Sequence, residues 1–410
     1  MSNLLLNSDK RKVNTIYSFD GYMLTFKAIL HDLVYGFKWL IVALFKRYTT
    51  QLNAKIVLHE LEKFADRRSA TISGGNVKLR FLYNVYERDH YRFNHVYLVS
   101  SCLPKYYLGL LFYCKIFSIK VFYNQNGTGY YAWSFEKTLF INLRLSIALS
   151  AATFVFYQSN YCKRATLEHL FLTSLFSKKP NHIVFNPVET TSLNEEVSEV
   201  VNTVDLHQKN VNLYVVGSHH EVERLIIPLK LIEKLSTTYD RYAFKLIIAG
   251  KIFHDLDSLI STYAPSTSSI IDILGAYDNK MVKDIYCSEG MLLHLKPFDP
   301  SPTVPIEAMS CGIPVISSST GGMPEIIKAS AGINIQVSPN CVNNQIPPLD
   351  FEPGFENLKL YYPTLEQLNT AVIQITENYS LYSSAAKNLS KTYSEITWLS
   401  KHFRVFNNYI

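Results

Sequence analysis

The chain has 410 residues, of which 48% are apolar and 18% charged, and its formal net charge is +6. This length is enough for two domains of ordinary size, and the composition excludes an intrinsically disordered protein. Six cysteines are scattered without a Cys-x-x-Cys pair or a histidine at metal-ligand spacing, so we expect reduced thiols, a cytoplasmic location and no zinc site.

The charge is divided unevenly along the chain. Residues 1–190 carry 24 basic and 11 acidic side chains, a net charge of +13, whereas residues 191–410 carry 16 and 23, a net charge of −7. A basic first half favours contact with an anionic membrane surface or an anionic acceptor. Nucleic acid is the competing partner, but no RNA-binding signature accompanies the charge, so we predict none.

Both halves of the chain alternate between strand-like and helix-like patterns, which is typical of parallel sheets covered on two faces. The predicted strands of the first half are Val13–Phe19, Lys55–His59, Lys78–Asn84, His95–Ser100, Lys120–Tyr123, Thr153–Gln158 and His182–Phe185. Those of the second half are Asn212–Val216, Phe244–Ala249, Ile270–Leu274, Met291–Leu295, Pro314–Ser317 and Ile333–Val337. This order predicts an α/β protein with two doubly wound domains and a ligand cleft beyond the carboxyl ends of the strands.

The polar stretch Thr190–Asn210, rich in Asn, Ser, Thr and Glu, is the natural linker between these domains. It divides the chain into a first domain of residues 1–190, a linker of residues 191–210 and a second domain of residues 211–392. Residues 393–410 form a separate terminal segment.

The stretch Tyr22–Tyr48 is aromatic, apolar and basic, and Trp39–Phe45 is an unbroken apolar run within it. A run this short cannot span a bilayer, which takes about 20 residues. Two interpretations stay open. The stretch either lies in a membrane interface, with Lys38 and Lys46 near phosphate headgroups, or forms a helix that covers the first sheet.

Residues 298–316, with the sequence FDPSPTVPIEAMSCGIPVI, are the most informative part of the chain. Pro305 suits a first helical turn, which predicts Thr303 as the N-cap and leaves the N–H groups of Thr303 and Val304 exposed. Such a helix start attracts phosphate. Glu307 lies one turn further along the same face, where its carboxylate can accept hydrogen bonds from two sugar hydroxyls. A phosphate-binding helix start beside such a carboxylate predicts a nucleotide-sugar site.

This run and the segment after it resemble the donor-site signature of family 4 (group 1) glycosyltransferases with the GT-B fold. The resemblance is carried by Asp299, seven intervening residues and Glu307, then by residues 308–316 and by the segment Gly321–Glu325. The usual signature has Glu where this chain has Asp299, which keeps the charge and shortens the reach by one methylene. The resemblance implies two Rossmann-like domains that face a cleft, with residues 393–410 as a final helix that crosses back to the first domain.

The resemblance also implies a role for individual residues. Glu307 is expected to hold the nucleotide ribose and Asp299 to contact the donor sugar, and with Asn126 they form the predicted catalytic group. Ser18–Gly21 is interpreted as the family's first glycine loop. The other predicted donor-binding residues lie at strand ends and helix starts and are Gly217, Ser218, Arg224, Lys296, Pro302, Thr303, Val304, Gly322 and Glu325.

The end of the strand at Gly217 is where a basic pair should grip the diphosphate. The family usually has Arg or Lys directly after this glycine, whereas this chain has Ser218. Arg224 is therefore the candidate for the phosphate contact. His219 and His220 would assist if protonated, although histidine is mostly neutral near pH 7.

The segment Tyr123–Tyr131 closes a strand of the first domain and is expected to face the cleft. Relatives often carry a histidine near Asn126. Asparagine can hydrogen-bond a sugar hydroxyl but cannot act as a general base, so the departing phosphate itself is expected to take the acceptor proton. Tyr130 and Tyr131 either stack on a sugar or fill the core.

These features predict a retaining glycosyltransferase of the hexosyltransferase type, which uses a UDP-sugar or GDP-sugar and needs no metal or other cofactor. A surface polysaccharide or a lipid-linked glycan is the expected acceptor, and the inner face of a membrane the expected place of work. Two alternatives stay open. One is a GT-B pseudoenzyme that binds a sugar or a partner protein, because of Asp299, Ser218 and Asn126. The other is a GT-B epimerase or phosphorylase, although no signature for a pyridoxal-phosphate lysine is present.

Overall fold

The computed structural model describes residues 19–48, 56–58, 74–83, 85, 93–130, 137–189, 209–277, 281–328, 330–337, 346 and 359–409. The predicted strand Val13–Phe19 lies outside these residues except for Phe19, and so do Ser18, Tyr131 and residues 191–208 of the predicted linker. Residues 209 and 210 of that linker begin a strand.

The first domain contains a sheet of five strands in the order β1-β2-β3-β4-β5, and every neighbouring pair is parallel. In chain order its elements are α1 (Phe19–Tyr48), β1 (Ile56–Leu58), α2 (Gly74–Tyr83), β2 (His95–Val99), α3 (Tyr107–Ile116), β3 (Lys120–Gln125), α4 (Thr138–Ala151), β4 (Phe154–Tyr157), α5 (Asn160–His169) and β5 (Asn181–Ile183).

The second domain contains a sheet of six strands in the order β11-β10-β9-β6-β7-β8, again parallel throughout. Its elements are β6 (Lys209–Val216), α6 (Glu223–Thr238), β7 (Tyr242–Ala249), α7 (Leu256–Tyr263), β8 (Ile271–Gly275), α8 (Val282–Ile285), β9 (Gly290–His294), α9 (Val304–Ser310), β10 (Val315–Ser318), α10 (Met323–Ile326) and β11 (Gly332–Ile335). Three further helices follow, α11 (Leu365–Glu377), α12 (Tyr379–Ser390) and α13 (Glu395–Phe406).

The last helix, α13, returns to the first domain, as the sequence predicted. Trp398 and Phe406 of α13 are buried in one apolar cluster with Tyr97 and Phe156 of the first sheet. His402, between Trp398 and Phe406 on the same helix, is hydrogen-bonded through Nε2 to the Tyr97 hydroxyl at 2.9 Å. The predicted α/β architecture with two Rossmann-like domains is therefore confirmed.

The predicted strands of the second half are all confirmed, with boundaries shifted by a few residues. One strand predicted in the first half, Lys78–Asn84, is wrong, because Lys78 to Tyr83 belong to helix α2. The short alternation of apolar and polar residues fits a strand, but the helix places Leu79 and Leu82 on one buried face. A run this short is compatible with both a strand and a helix, and tertiary packing decides which of the two forms.

Helix α1 is 30 residues long and begins three residues before the stretch Tyr22–Tyr48 that the sequence singled out. Its inner stripe packs on α3 and α4 and consists of Thr25, Asp32, Gly36 and Ala43. Asp32 pairs with Arg144 of α4 at 3.0 Å. Where α1 crosses α3, a Cβ added at Gly109 would lie 2.0 Å from the Gly36 carbonyl oxygen, so no larger residue fits there. Thus α1 covers the first domain, which was one of the two interpretations.

Candidate functional site

A cavity of about 980 Å³ lies between the two domains, beyond the carboxyl ends of both sheets. Residues 126–130, which follow β3, and one face of α4 form most of the first-domain wall. Residues 216–224 after β6 and residues 294–304 after β9 form the second-domain wall. The cleft predicted from the strand order is therefore open and lined from both sides.

Arg224 supplies a cation to the second-domain wall. It begins the first turn of α6, and its side chain lies buried against the end of β6, where it donates a hydrogen bond to the Ser218 carbonyl oxygen. Glu221 approaches the same guanidinium at 3.6 Å. Gly217, at φ +127°, leaves the room that Arg224 occupies, because a Cβ there would lie 3.3 Å from the guanidinium. Gly217, Ser218 and Arg224 thus all line the cavity, as the sequence placed them.

Asp299 and Lys296 form the second charged pair of this wall. The Lys296 ammonium lies 3.0 Å from the Asp299 carboxylate, and Ser301 N–H donates to the same carboxylate at 3.3 Å. Burial is the largest single influence and acts to raise the pKa of Asp299, but the Lys296 charge, the nearby His294 and the hydrogen bonds from Lys296 and Ser301 N–H together outweigh it, and the pKa stays below its ordinary value. Asp299 is therefore ionised at neutral pH, and both residues line the cavity.

The start of α9 brings Pro302, Thr303 and Val304 to the cavity wall. Thr303 occupies the N-cap position, but its side chain does not cap the helix. The first helical hydrogen bond runs from Glu307 N–H to the Thr303 carbonyl oxygen at 2.9 Å, so the preceding amides are not bonded within the helix.

Glu307 lies one turn behind this edge and is not part of the cavity lining itself. Its half-buried carboxylate accepts a hydrogen bond from the Thr303 hydroxyl, and burial raises its pKa to about 7. Tyr277, two residues after β8, lies close enough for the Glu307 charge to add to burial in raising the tyrosine pKa. Glu307 therefore lies behind Thr303 of the cavity wall and near Tyr277.

Neither histidine of the β6 loop offers a positive charge to the cavity. His219 is fully buried and hydrogen-bonds the Ala249 carbonyl oxygen at 3.1 Å, and burial lowers its pKa to about 4. His220 stacks on Phe253 at 4.0 Å, and burial lowers its pKa as well. Both rings are neutral at pH 7, so the expected assistance from protonated histidines is not available in this structure.

Gly322 and Glu325 do not line the cavity, and each has a packing or capping role instead. A Cβ on Gly322 would lie 2.2 Å from the Pro300 carbonyl oxygen, so this glycine permits close packing of two loops. Glu325 accepts hydrogen bonds from the backbone N–H groups of Asn160 and Tyr161, both at 2.7 Å, and so caps helix α5 of the first domain. The sequence placed both residues at the donor, but their contacts are already made within the protein.

Asn126 lines the first-domain wall, and its amide is held on both sides. Lys78 donates to its Oδ1 at 3.0 Å, and its Nδ2 donates to the Ser101 hydroxyl at 2.6 Å. Lys78 is fully buried, also donates to Asn124 Oδ1 at 3.0 Å, and has a pKa lowered by burial to about 7. The first-domain wall thus has an amide of fixed orientation backed by a buried amine.

Two further interpretations of the first domain are decided by the structure. Tyr130 lines the cavity but is buried, with its hydroxyl 3.4 Å from that of Tyr161, so it mainly fills the core. Phe19 to Gly21 begin helix α1. The interpretation of Ser18–Gly21 as a glycine loop is therefore wrong for its described residues, because α1 extends further towards the N-terminus than the sequence pattern indicated.

Several buried polar atoms at the cavity have no hydrogen-bond partner within the described part of the chain. They are both ring nitrogens of His294, the hydroxyl of Ser301 and Oδ1 of Asn186. Buried polar atoms in native proteins are nearly always bonded, so a group of exceptions around one cavity indicates a polar ligand or water there.

Sequence reasoning did not find Lys78, His294 or Glu221. Lys78 fell in the strand that was predicted wrongly. His294 is the one polar residue in the apolar run Met291–Leu295. This interruption is the local signal in the sequence that could have identified His294.

Across the described ranges, no three His, Cys, Asp or Glu residues are grouped so as to hold a metal ion. The pair Asp255 and Asp257 has Asp-x-Asp spacing, but Asp255 caps helix α7 by accepting from Ser258 N–H at 3.2 Å. Neither aspartate lines the cavity.

Comparison with known proteins gives one family match. Residues 202–340 match the family model described as glycosyl transferases group 1. These residues include the β6 loop, the β9 loop and helix α9, which together form the second-domain wall.

Among curated proteins, the chain is similar to the phosphatidylinositol N-acetylglucosaminyltransferase GPI3 subunit of Saccharomyces cerevisiae strain YJM789. The two are 21% identical over 204 residues, which is 48% of this chain and 42% of the yeast protein. The chain therefore spans less than half the length of this relative.

Among solved structures, a glycosyltransferase from Rickettsia africae ESF-5 superposes with a TM-score of 0.55 at 15% identity, over 90% of this chain and 94% of that one. HepE from Anabaena in complex with UDP superposes with a TM-score of 0.52 at 14% identity, over 77% and 79%. At these identities the likeness shows the fold, the GT-B arrangement of two Rossmann-like domains, as the sequence predicted.

Proposed function

We propose that this protein, whose residues 202–340 match the group 1 glycosyl transferase family model, moves a hexosyl group from a nucleoside-diphosphate sugar to a lipid-linked acceptor. The transfer would retain the anomeric configuration and use no metal ion. The donor lies on the second-domain wall of the cleft and the acceptor on the first. A UDP-sugar or a GDP-sugar is the expected donor.

The observation that carries this proposal is the composition of the second-domain wall. It combines two cations, Arg224 and Lys296, with the unpartnered polar atoms of His294 and Ser301 around one cavity. A diphosphate requires cations, and an attached sugar requires neutral donors and acceptors. One ligand that has both parts matches the wall better than a simple anion or an apolar molecule does.

The chemistry follows from where charge develops. As the bond between sugar and diphosphate breaks, negative charge grows on the leaving phosphate, and Arg224 and Lys296 stabilise it. Asn126 offers an amide that positions the acceptor hydroxyl but cannot take its proton. The departing phosphate is then the nearest base, which is compatible with the absence of a histidine at this position. Glu307, behind Thr303, is expected to accept from the ribose hydroxyls.

A lipid-linked acceptor is favoured by the apolar surface of helix α1. The segment Thr25–Phe45 is 21 residues long and apolar enough, by length and composition, to cross a membrane. Its outer stripe, opposite the packed one, is exposed and consists of Phe26, Leu30, Leu33, Val34, Phe37, Ile41 and Phe45. Lys27 and Lys38 flank this stripe and are exposed to solvent.

Helix α1 is expected to lie along the membrane rather than to cross it, because its inner stripe is used. Asp32 pairs with Arg144 of α4, and Gly36 packs against Gly109 of α3. The apolar stripe would enter the acyl boundary while Lys27 and Lys38 reach anionic headgroups. Helix α4 also lines the cleft, so an acceptor lipid would have a short path from the bilayer to Asn126. We expect this contact at the cytoplasmic face of a membrane. The similarity to a yeast subunit whose name includes phosphatidylinositol is compatible with a lipid-linked acceptor.

A thermal-shift and transfer experiment tests the proposed function. UDP, GDP and ADP sugars should be screened for a rise in melting temperature, since a ligand that binds only the folded protein stabilises it. The sugar that gives the largest rise should then be transferred to a membrane-extracted lipid acceptor. Binding without transfer or donor hydrolysis would favour the non-catalytic alternative, and no response to any nucleotide sugar would contradict donor binding altogether.

Vesicle sedimentation tests the membrane contact. The wild-type protein should sediment with vesicles of phosphatidylcholine and phosphatidylserine, and less with phosphatidylcholine alone. The variant Phe26→Ser/Phe37→Ser should remain in solution. A matched control is Leu381→Ser/Ile396→Ser, which removes two exposed apolar side chains elsewhere. Equal sedimentation of both variants would contradict a role for α1.

A further inference from the structure

His294 occupies a central place in the donor wall. It is the last residue of β9, a strand with β10 on one side and β6 on the other, and it pairs in register with Ser317. Strand ends at this edge of a doubly wound sheet are where ligands bind. The ring lines the cavity although only 4% of the residue is exposed.

Both ring nitrogens of His294 are buried without a hydrogen-bond partner among the residues that the structure describes. The other buried histidines of the described chain each have at least one hydrogen-bonded ring nitrogen, although Nδ1 of His219 is also without a partner. His402 contacts the Tyr97 hydroxyl at 2.9 Å and the Trp398 carbonyl oxygen at 2.8 Å, and His219 contacts the Ala249 carbonyl oxygen at 3.1 Å. Leaving buried polar atoms unbonded is costly, so a histidine with two of them beside a cavity is suited to a ligand.

A purely structural role explains this residue poorly. Its neighbours along the strand, Met291, Leu292, Leu293 and Leu295, are buried and apolar. A leucine or phenylalanine in the same position would fill the space without any polar atom to satisfy. The strand thus carries one polar side chain, at the point where it reaches the cavity.

The surrounding charges indicate which part of the ligand His294 meets. Burial lowers its pKa to about 3, so the ring is neutral at pH 7, with a donor on one nitrogen and an acceptor on the other. A hydroxyl group, which both donates and accepts, matches such a ring, whereas a phosphate only accepts. Arg224 and Lys296 are the cations beside it and are available for phosphate.

We propose, on the premise of the donor function above, that His294 hydrogen-bonds a hydroxyl of the sugar being transferred and thereby contributes to the choice of donor sugar. Asp299 and His294 then contact the sugar, while Arg224 and Lys296 contact the diphosphate. The donor-site signature did not predict this role for His294, because His294 lies five residues before Asp299, where the signature begins.

The experiment compares a nucleotide with its sugar conjugates. Calorimetric dissociation constants of UDP, UDP-GlcNAc, UDP-glucose, UDP-galactose and, in parallel, GDP and GDP-mannose should be measured for wild type, His294→Phe and His294→Asn. For the sugar that wild type prefers, His294→Phe should bind about tenfold more weakly, the loss expected for one hydrogen bond, while the free nucleotide changes by less than about twofold. His294→Asn, which keeps a donor and an acceptor, should recover part of the loss.

The control is His402→Phe, which also removes a buried histidine but lies in α13, away from the cavity. It should lower the melting temperature without changing the ratio of nucleotide-sugar to nucleotide affinity. An unchanged ratio in His294→Phe, or an equal loss for nucleotide and nucleotide sugar, would overturn the role of His294 alone. If wild type bound no nucleotide or nucleotide sugar, the proposed function would fall and this inference with it.

Discussion

The second-domain and first-domain walls of the cleft, named the donor side and the acceptor side after the proposed function, each have a lysine, and the two lysines are placed in opposite ways. On the donor side, Lys296 lies at the cavity and is paired at 3.0 Å with the carboxylate of Asp299. On the acceptor side, Lys78 is buried behind the wall and bonded to two amide oxygens, those of Asn124 and Asn126. The donor side therefore presents charge to a ligand, whereas the acceptor side uses a buried amine to orient a neutral group.

This difference corresponds to the two kinds of substrate proposed. A leaving diphosphate requires cations that are in place before charge develops, and a carboxylate neighbour keeps Lys296 oriented. An acceptor hydroxyl requires a neutral partner of fixed direction. Lys78 provides that direction by holding Asn126 Oδ1, which leaves the amide N–H groups towards Ser101 and the cavity.

The largest effect is expected from Arg224→Gln, which removes the most buried cation of the donor side. The value of kcat/KM for transfer should fall about 100-fold, because one charge-assisted contact to the leaving phosphate is lost. Arg241→Gln is the control, since Arg241 is an exposed arginine paired with Glu377 in the same domain. Steady-state kinetics with the preferred donor measures both. Activity of Arg224→Gln within about threefold of wild type would remove Arg224 from the site.

Asp299→Asn separates the charged pair without changing its shape. We expect transfer to fall about 30-fold through the lost sugar contact, while the affinity for free UDP stays equal or rises because Lys296 loses its competing anion. The exposed pair of Asp272 and Lys245, at 2.6 Å, supplies the control Asp272→Asn. A matching loss of UDP affinity in Asp299→Asn would show that the acid supports the nucleotide instead of the sugar.

Lys78→Met tests the buried amine through the pH dependence of stability. Burial lowers the pKa of Lys78 from 10.5 to about 7 in the folded protein. Between these values the unfolded chain binds more protons, so the free energy of unfolding of wild type rises with pH there. Between pH 7 and pH 9 this rise should exceed that of Lys78→Met by about 1–2 kcal/mol.

Urea denaturation at both pH values gives the comparison, and Lys245→Met, at an exposed lysine, should follow wild type. Parallel curves for wild type and Lys78→Met would mean that Lys78 keeps an ordinary pKa. The same variant should raise the acceptor KM more than the donor KM if Asn126 positions the acceptor.

The smallest effect concerns Glu307, whose pKa burial raises to about 7. Ribose hydroxyls donate to the ionised carboxylate, so UDP affinity should fall about fivefold as pH decreases from 8 to 6 and the group becomes protonated. Glu307→Gln should bind weakly and lose this part of the pH dependence, which separates it from protonation of UDP itself. Isothermal titration at three pH values measures the slope, and identical slopes in both proteins would contradict the role of Glu307.

Much of the fold could be predicted because parallel strands leave a strong local pattern. The strands of the second half, from β6 to β11, are near-continuous apolar runs, and each was located within a few residues. Helix α1 was harder to predict, since Asp32 interrupts its apolar pattern and finds its partner, Arg144, more than 100 residues away. Lys78 was assigned to a strand because alternation over a few residues does not distinguish a strand from a helix.

The site was predictable where chemistry depends on sequence spacing and unpredictable where it depends on burial. Asp299 and Arg224 were placed at the cleft from the motif and from the end of β6. Lys78 and His294 were not, because nothing local shows that a polar side chain will be enclosed by other parts of the chain. Gly322 and Glu325 lie in the motif, but Gly322 packs against Pro300 and Glu325 bonds to Asn160 of the first domain, and these contacts are visible only in three dimensions.

Hydrogen bonds between the two domains hold the cleft in its present shape and must break if the cleft opens wider for a substrate. The Ser159 hydroxyl donates to the Pro300 carbonyl oxygen at 2.6 Å, and the carboxylate of Glu325 accepts from two amides of the first turn of α5. Separating the two lobes must break all of these bonds at once and expose the amide end of α5 to water. Opening is therefore expected to be a cooperative step, and a donor that bridged both lobes would slow its own release.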